Sequence, residues 1–332
     1  MICRSVIAIG TLTLFLGGGT AAMAQKTEPH EYVVTSVPDP LPKPTHPGLK
    51  HARSADRLEL GRKLFFDPML SLDRTIACSN CHKPELAFAD SVATSKGVGG
   101  KTTGFNAPSL VNRYLGESFM WDGRFATLEA QVTDPIDNEK EMALGVPAAL
   151  KRLQDSKEYP ALFAKAWPKR ELDKSTLASS LAHFIRHLRR ADSPVDRFRS
   201  GDANTLNNLE KRGLWLYESR GRCWQCHDNA NFSNESFHNT GVSAQDGKPE
   251  LGRFAHTKKD EDRGRFKTPT LRGLTLTAPY MHDGSMKTLK EVVEFYRDGG
   301  TKNSHLDSRI RPIVLDDKDV DALVAFLKAL SR

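Results

Sequence analysis

Cys78-Ser79-Asn80-Cys81-His82 and Cys223-Trp224-Gln225-Cys226-His227 decide how this chain is read. C-x-x-C-H is the attachment signature of a covalent haem: two thiols add to the vinyl groups and the adjacent histidine ligates the iron. A zinc ribbon places its cysteine pairs about 15–20 residues apart, whereas Cys81 and Cys223 stand in opposite halves of the chain. A thioredoxin-like dithiol needs a βαβ context, which is lacking. Cys78, Cys81, Cys223 and Cys226 are therefore expected to hold two haem c groups, with His82 and His227 as the iron ligands.

Working outward, each motif follows a helical stretch with a glycine and an aromatic residue. The first is Leu58-Glu59-Leu60-Gly61-Arg62-Lys63-Leu64-Phe65 and the second Gly213-Leu214-Trp215-Leu216-Tyr217. Each half closes on an amphipathic stretch, Leu177–Ile185 and Val320–Leu327. Glycine–aromatic helix, C-x-x-C-H and closing helix, in that order twice, predict a mainly α fold. It comprises two cytochrome c-like domains, each enclosing one covalently bound haem, with long loops. The repeat sets the domains at 56–200 and 201–332, with the boundary near 192–203.

Hydrophobic periodicity predicts helices over 56–66, 124–132, 146–165, 174–190, 204–219, 287–297 and 317–330, with few strands. Loops 90–109 and 229–285 are rich in Gly, Pro, Asn and Asp, and an enclosed cofactor would order them. Residues 1–24 read as a signal peptide: Arg4, an apolar run from Val6 to Leu16, then Ala22-Met23-Ala24. The run is short for a membrane span, which needs about 20 residues, and no later stretch is apolar enough. The expected location is the periplasm, with no membrane span after signal removal. Residues 25–55 form an extended N-terminal segment, Pro-rich over 38–47. Cys3 leaves with the signal. The 332-residue chain has a net charge of +7, but its basic residues are interleaved with acidic ones. That is a solvated surface, and no nucleic acid is expected as a partner.

What a haem does depends on the opposite axial position: Met or His there gives electron transfer, an open position lets peroxide bind. Between Lys83 and Ala182 there is no histidine. Met120 and Met142 are the available sulfur ligands, and both read as core fillers. A positioned glutamate would instead suit peroxide cleavage, which needs a proton moved between oxygens.

Asn106-Ala107-Pro108-Ser109, Trp121-Asp122-Gly123-Arg124, Leu128-Glu129-Ala130-Gln131, Pro135-Ile136 and Lys140-Glu141-Met142 resemble the bacterial di-haem cytochrome c peroxidase family. So do Thr268-Pro269-Thr270-Leu271-Arg272 and Ala278-Pro279-Tyr280-Met281-His282-Asp283-Gly284. The resemblance covers roughly residues 56 to 330. It implies Glu141 as the distal carboxylate of the peroxidatic haem, with Gln131 and Pro135 beside it. It implies Trp121 as the tryptophan between the haems. It also implies a calcium site from the Asn106 side chain and the Thr277 and Pro279 carbonyls. On residue type alone, Trp121 reads as core and Glu141 as a solvated charge.

Two departures bear on activity. Typical members carry a distal histidine after the first C-x-x-C-H; here the loop reads Ser95-Lys96-Gly97-Val98-Gly99-Gly100-Lys101. The first haem should then be open in the ferric state. Typical members place a Met fourteen residues after the histidine of the His-Asp-Gly motif; here that position is Tyr296. This resembles the MauG-like branch, in which tyrosine ligates the second haem and favours higher oxidation states. Met281 and Met286 remain rival ligands. The implied reading is a periplasmic peroxidase that uses hydrogen peroxide at the first haem. Its electrons come through the second haem from a protein substrate, a small cytochrome or a cupredoxin. The alternatives are an ordinary detoxifying cytochrome c peroxidase and a non-enzymatic electron carrier. Trp215, Tyr217 and Trp224 could carry charge outward or simply pack as buried aromatics.

Overall fold

Glycines at two helix crossings organise the molecule. The computed structural model describes residues 40–43 and 54–332. The signal segment 1–24 and most of the lead-in 25–55 lie outside the described residues. Of the lead-in, Leu41 is buried, and the Pro42 carbonyl accepts from the Tyr114 hydroxyl at 2.7 Å.

In the first half α1 (Ser54–Phe66) packs on α7 (Lys174–Arg186); in the second α9 (Asn208–Glu218) packs on α12 (Asp317–Ala329). A Cβ on Gly61 would stand 2.1 Å from the Ser180 carbonyl oxygen and 2.9 Å from Phe184 Cβ. A Cβ on Gly213 would stand 2.0 Å from the Ala322 carbonyl oxygen and 2.7 Å from Phe326 Cβ. Only glycine lets the backbones approach this closely. One turn on, Phe65 tilts over Phe184 at 5.0 Å and 50°, and Tyr217 over Phe326 at 4.8 Å and 49°. Each crossing nucleates its own hydrophobic cluster, one ending at Leu188 and the other beginning at Val195.

Side-chain caps set the helix starts. Asp173 accepts from the Thr176 amide at 2.8 Å, and Asn207 from the Glu210 amide at 3.0 Å. Glu210 in turn accepts from the Asn207 amide at 2.9 Å, a reciprocal pair that stops the helix expected from 204 at 208. The helix expected over 146–165 is two helices, α5 (Val146–Gln154) and α6 (Tyr159–Ala166). Pro160 lacks a donor and its ring clashes with the preceding turn, so the chain breaks before it. Of 124–132 only α3 (Leu128–Gln131) is helical, because Phe119 and Phe125 bridge across a turn with Gly123 at φ +67°. The helix expected over 174–190 ends at Arg186. Shorter helices are α2 (Cys78–Cys81), α4 (Asp134–Asp137) and α10 (Phe254–Thr257). The sheet is minimal: β1 (Phe237–His238) pairs antiparallel with β2 (Phe266–Lys267).

The connection between the halves, α8 (Pro194–Arg199), is pinned. Asp196 accepts from the Ser193 amide at 2.8 Å and takes both arms of the fully buried Arg272 at 2.7 and 2.9 Å. The remaining helix, α11 (Leu289–Arg297), packs on α12 and carries Tyr296. Among the described residues no helix is long and apolar enough to cross a membrane.

Candidate functional site

Both C-x-x-C-H segments open onto one cavity of about 560 Å³, walled by residues of both halves. Of the residues expected to attach haem, ligate iron, line the distal pocket or hold calcium, all but Cys78 wall it; Cys78 packs against the first hydrophobic cluster. None of the four cysteines is paired in a disulfide. Burial pushes Cys78 and Cys223 up to about 12 and Cys226 up to about 11.

The two histidines are held alike. His82 Nδ1 lies 2.9 Å from the Phe88 carbonyl and His227 Nδ1 lies 3.0 Å from the Phe232 carbonyl. A Nδ1–H donated to a carbonyl leaves the Nε2 lone pair for a metal. Burial lowers both rings, His227 to about 4, so both are neutral and able to ligate. The Pro108 carbonyl approaches His82 as the Pro269 carbonyl approaches His227. Ser109 Oγ then donates to the Ala87 carbonyl at 2.6 Å, and Thr270 Oγ1 to the Asn231 carbonyl at 2.7 Å. Ala107-Pro108-Ser109-Leu110 and Thr268-Pro269-Thr270-Leu271 are thus one repeated clamp, which a search confined to helices and C-x-x-C-H overlooks. Its signal in the sequence is the shared small–Pro–hydroxyl–Leu pattern.

Facing the first motif, Glu141 lines the cavity and accepts from Asn138 Nδ2 at 2.8 Å. Burial, then Asp134, raises its carboxyl, against the pull of Arg124 and Asn138. The 95–101 loop packs on its backbone: the Val98 amide donates to the Glu141 carbonyl at 2.8 Å. A Cβ on Gly97 would stand 2.4 Å from that carbonyl oxygen. Gln131 Nε2 points to Met120 Sδ at 3.6 Å. Met120 lines the cavity, while Met142 is buried in the first cluster as the core reading expects.

Facing the second motif, Tyr296 bonds the Thr240 side chain, and burial followed by Cys226 and Cys223 pushes its hydroxyl pKa upward. Met281 also walls the cavity; Met286 is not among the wall residues, and its carbonyl receives the Tyr280 amide. Elsewhere in the wall, Trp121 Nε1 donates to the Asn106 carbonyl at 2.9 Å, and the Trp121 ring meets His282 edge-on at 6.4 Å. His282 stacks on Phe266 at 3.6 Å and bonds Glu250. Asn106, Thr277 and Pro279 share the wall beside them. Among the described residues no group of three or more His, Cys, Asp or Glu is placed to hold a metal ion; the amide and carbonyls expected for calcium are a different donor set. The buried-aromatic reading holds for Tyr217 alone: Trp215 and Trp224 are 57% and 47% exposed.

His238 tests whether the cavity fits a bound group. Its Nδ1 is tied to Asp307 at 2.8 Å, yet its buried Nε2 has no partner among the described residues. Buried polar atoms are nearly always satisfied, and His238 lines the cavity. Neutral histidines beneath paired thiols, a largely apolar wall and an orphaned polar atom fit a haem at each motif.

A family model described as di-haem cytochrome c peroxidase matches residues 55–204. The chain is 34% identical over 298 residues to the methylamine utilization protein MauG of Methylorubrum extorquens, covering 89% of this chain and 81% of that protein. It is 32% identical over 333 residues to the cytochrome c551 peroxidase of Nitrosomonas europaea, covering 99% and 92%. The crystal structure of a MauG-like protein associated with microbial copper homeostasis superposes with a TM-score of 0.81 at 32% identity, covering 89% of this chain and 95% of that one.

Proposed function

The chain belongs to the di-haem cytochrome c peroxidase family, and from that premise we propose that it is a MauG-like peroxidase of the periplasm, with two haem c groups and a calcium ion. The observation that carries the MauG-like reading is Tyr296, which faces the second C-x-x-C-H across the cavity wall. Cys78 and Cys81 would attach the first haem over His82, and Cys223 and Cys226 the second over His227. Asn106 with the Thr277 and Pro279 carbonyls would hold calcium.

Bound haem would supply an iron at which hydrogen peroxide binds and is reduced. The protein's part is the proton. Glu141, held by Asn138 and raised by burial, takes it from the near oxygen and returns it to the leaving one. Gln131 and Pro135 shape the space around it. The 95–101 loop carries no histidine to block this face, so the protein would react with peroxide without first being reduced. Reducing one peroxide to two waters takes two electrons and two protons; the electrons come from a donor at the surface. Trp121, which shares the cavity wall with both motifs, would couple the haems, and the exposed Trp215 and Trp224 would carry charge outward.

Tyr296→Phe is the test. The variant should keep both haems by mass yet lose the long-lived oxidised form that peroxide produces, and wild type should turn over poorly with reduced small cytochrome c. Since Met281 shares the wall, an ordinary detoxifying peroxidase would show the opposite: Tyr296→Phe silent, Met281→Leu altering the second haem, and fast turnover with cytochrome c. As-isolated protein with only low-spin iron and no response to peroxide would identify an electron carrier.

A further inference from the structure

Arg113, from the first half, and Lys267, from the second, share one carboxylate. Glu235 Oε1 takes Arg113 Nη1 at 2.8 Å and Oε2 takes Nη2 at 3.1 Å, and Lys267 Nζ stands 3.5 Å from that same Oε2. All three side chains are at least nine-tenths buried, at 9% exposure for Arg113, 7% for Glu235 and 9% for Lys267. Two cations thus face one anion. Arg113 is otherwise engaged, since Nη2 also donates to the Ser118 carbonyl at 2.9 Å. The ammonium of Lys267 has three donors and a single contact at the edge of hydrogen-bonding length.

Among the described residues, the charges acting on Lys267 are those of Arg113 and Glu235, and no second carboxylate offsets the pair. Burial first, and then Arg113, pulls its ammonium down to about 7. An uncompensated buried charge is costly and calls for a counter-ion. The direction in which one must come is given by the cavity. Arg113 and Lys267 belong to its wall and Glu235 does not, so the carboxylate backs the cations and the cations face inward. Lys267 is also fixed in place, its amide donating to the Trp121 carbonyl at 2.8 Å and its strand paired with β1.

We propose that Arg113 and Lys267 form a carboxylate-binding site in the cavity wall, and that its occupant is a propionate of one bound haem. This rests on the haem reading above. The pair positions the haem and tunes its iron: a cation beside a propionate stabilises the reduced state, and Glu235 behind it tempers the effect.

The test uses as-isolated protein of wild type, Lys267→Met, Lys267→Arg and Glu235→Gln, with haem content measured by mass first. Wild type without two haems would overturn the haem reading and this proposal together. With haem present, the midpoint potential of one haem should fall in Lys267→Met, rise in Glu235→Gln and return towards wild type in Lys267→Arg. The propionate bending band in the resonance Raman spectrum should shift in Lys267→Met, which a packing role would not produce. Potentials that stay put, or move the same way in Lys267→Met and Glu235→Gln, would overturn the site. Acetate separates the two sources of a carboxylate. Saturable acetate binding to wild type, abolished in Lys267→Met, would mean a free carboxylate and overturn the propionate assignment; no response to acetate supports it.

Discussion

The two halves of the cavity are alike beneath the histidines and unlike above them. Below, Gly61 and Gly213 make the same crossing, Phe65 and Tyr217 take the same tilt, and both histidines donate to a carbonyl five or six residues on. The Pro108 and Pro269 carbonyls complete the match. Above, one half presents Glu141 and Asn138, and the other Tyr296 and Thr240. Attachment makes the same demands twice, so that geometry repeats. On the proposed function, reactivity is assigned by the opposite face, which is where the halves differ.

The sharpest way to break the comparison is at Glu141. Glu141→Gln should slow the reaction with peroxide by about 10²–10⁴-fold in stopped flow while both haems remain attached. In its proposed role as proton acceptor Glu141 would work ionised, and burial raises its carboxyl above the ordinary 4.5. The wild-type rate should therefore fall as pH drops through that raised value, and the limb should vanish in Glu141→Gln. An unchanged rate would place the functional difference elsewhere.

The likeness of the halves is tested by Gly61→Ala and Gly213→Ala. Each added methyl meets a carbonyl and a phenylalanine, and overpacking of this kind costs about 1–3 kcal/mol. Chemical denaturation should show similar losses. A large loss from one and none from the other would mean that the crossings only look equivalent.

A smaller effect distinguishes the halves again. Beside Phe184 in α7 stands the buried His183, where the matching position beside Phe326 in α12 is Ala325. Burial, then His187, lowers His183 to about 3. The folded ring stays neutral while the unfolded one takes a proton below about 6.5. Its contribution to stability is thus complete above pH 6.5 and is lost as pH falls towards 3. Melting temperatures across that window should decline less steeply in His183→Gln, with His187, also lowered, supplying part of what remains. An identical slope would remove His183 from the account.

Much of this was legible in the sequence because it is local. The C-x-x-C-H motifs, the amphipathic helices and the glycine–aromatic pairs are short-range patterns, and the mainly helical fold of di-haem peroxidases followed from them. Boundaries failed where a single side chain decides them: Pro160 splits one expected helix and the Asn207–Glu210 pair shortens another. The repeated proline clamp was visible as a pattern but gave no sign of its role, since the carbonyls it aims belong to the backbone. Arg113, Lys267 and Glu235 were not legible at all. They are joined through burial across both halves, and charges so far apart in sequence look like ordinary surface residues.

The pinned connection carries one more consequence. Asp196 holds its own helix start and both arms of Arg272, so α8 is a brace rather than a tether. Asn112 of the first half also donates to Asn231 of the second at 3.0 Å, so with haems bound as proposed, charge passing between them would cross a distance set by the fold and not by diffusion. Transfer across such a span is insensitive to solvent viscosity, unlike that between domains that must swing together before they can exchange an electron.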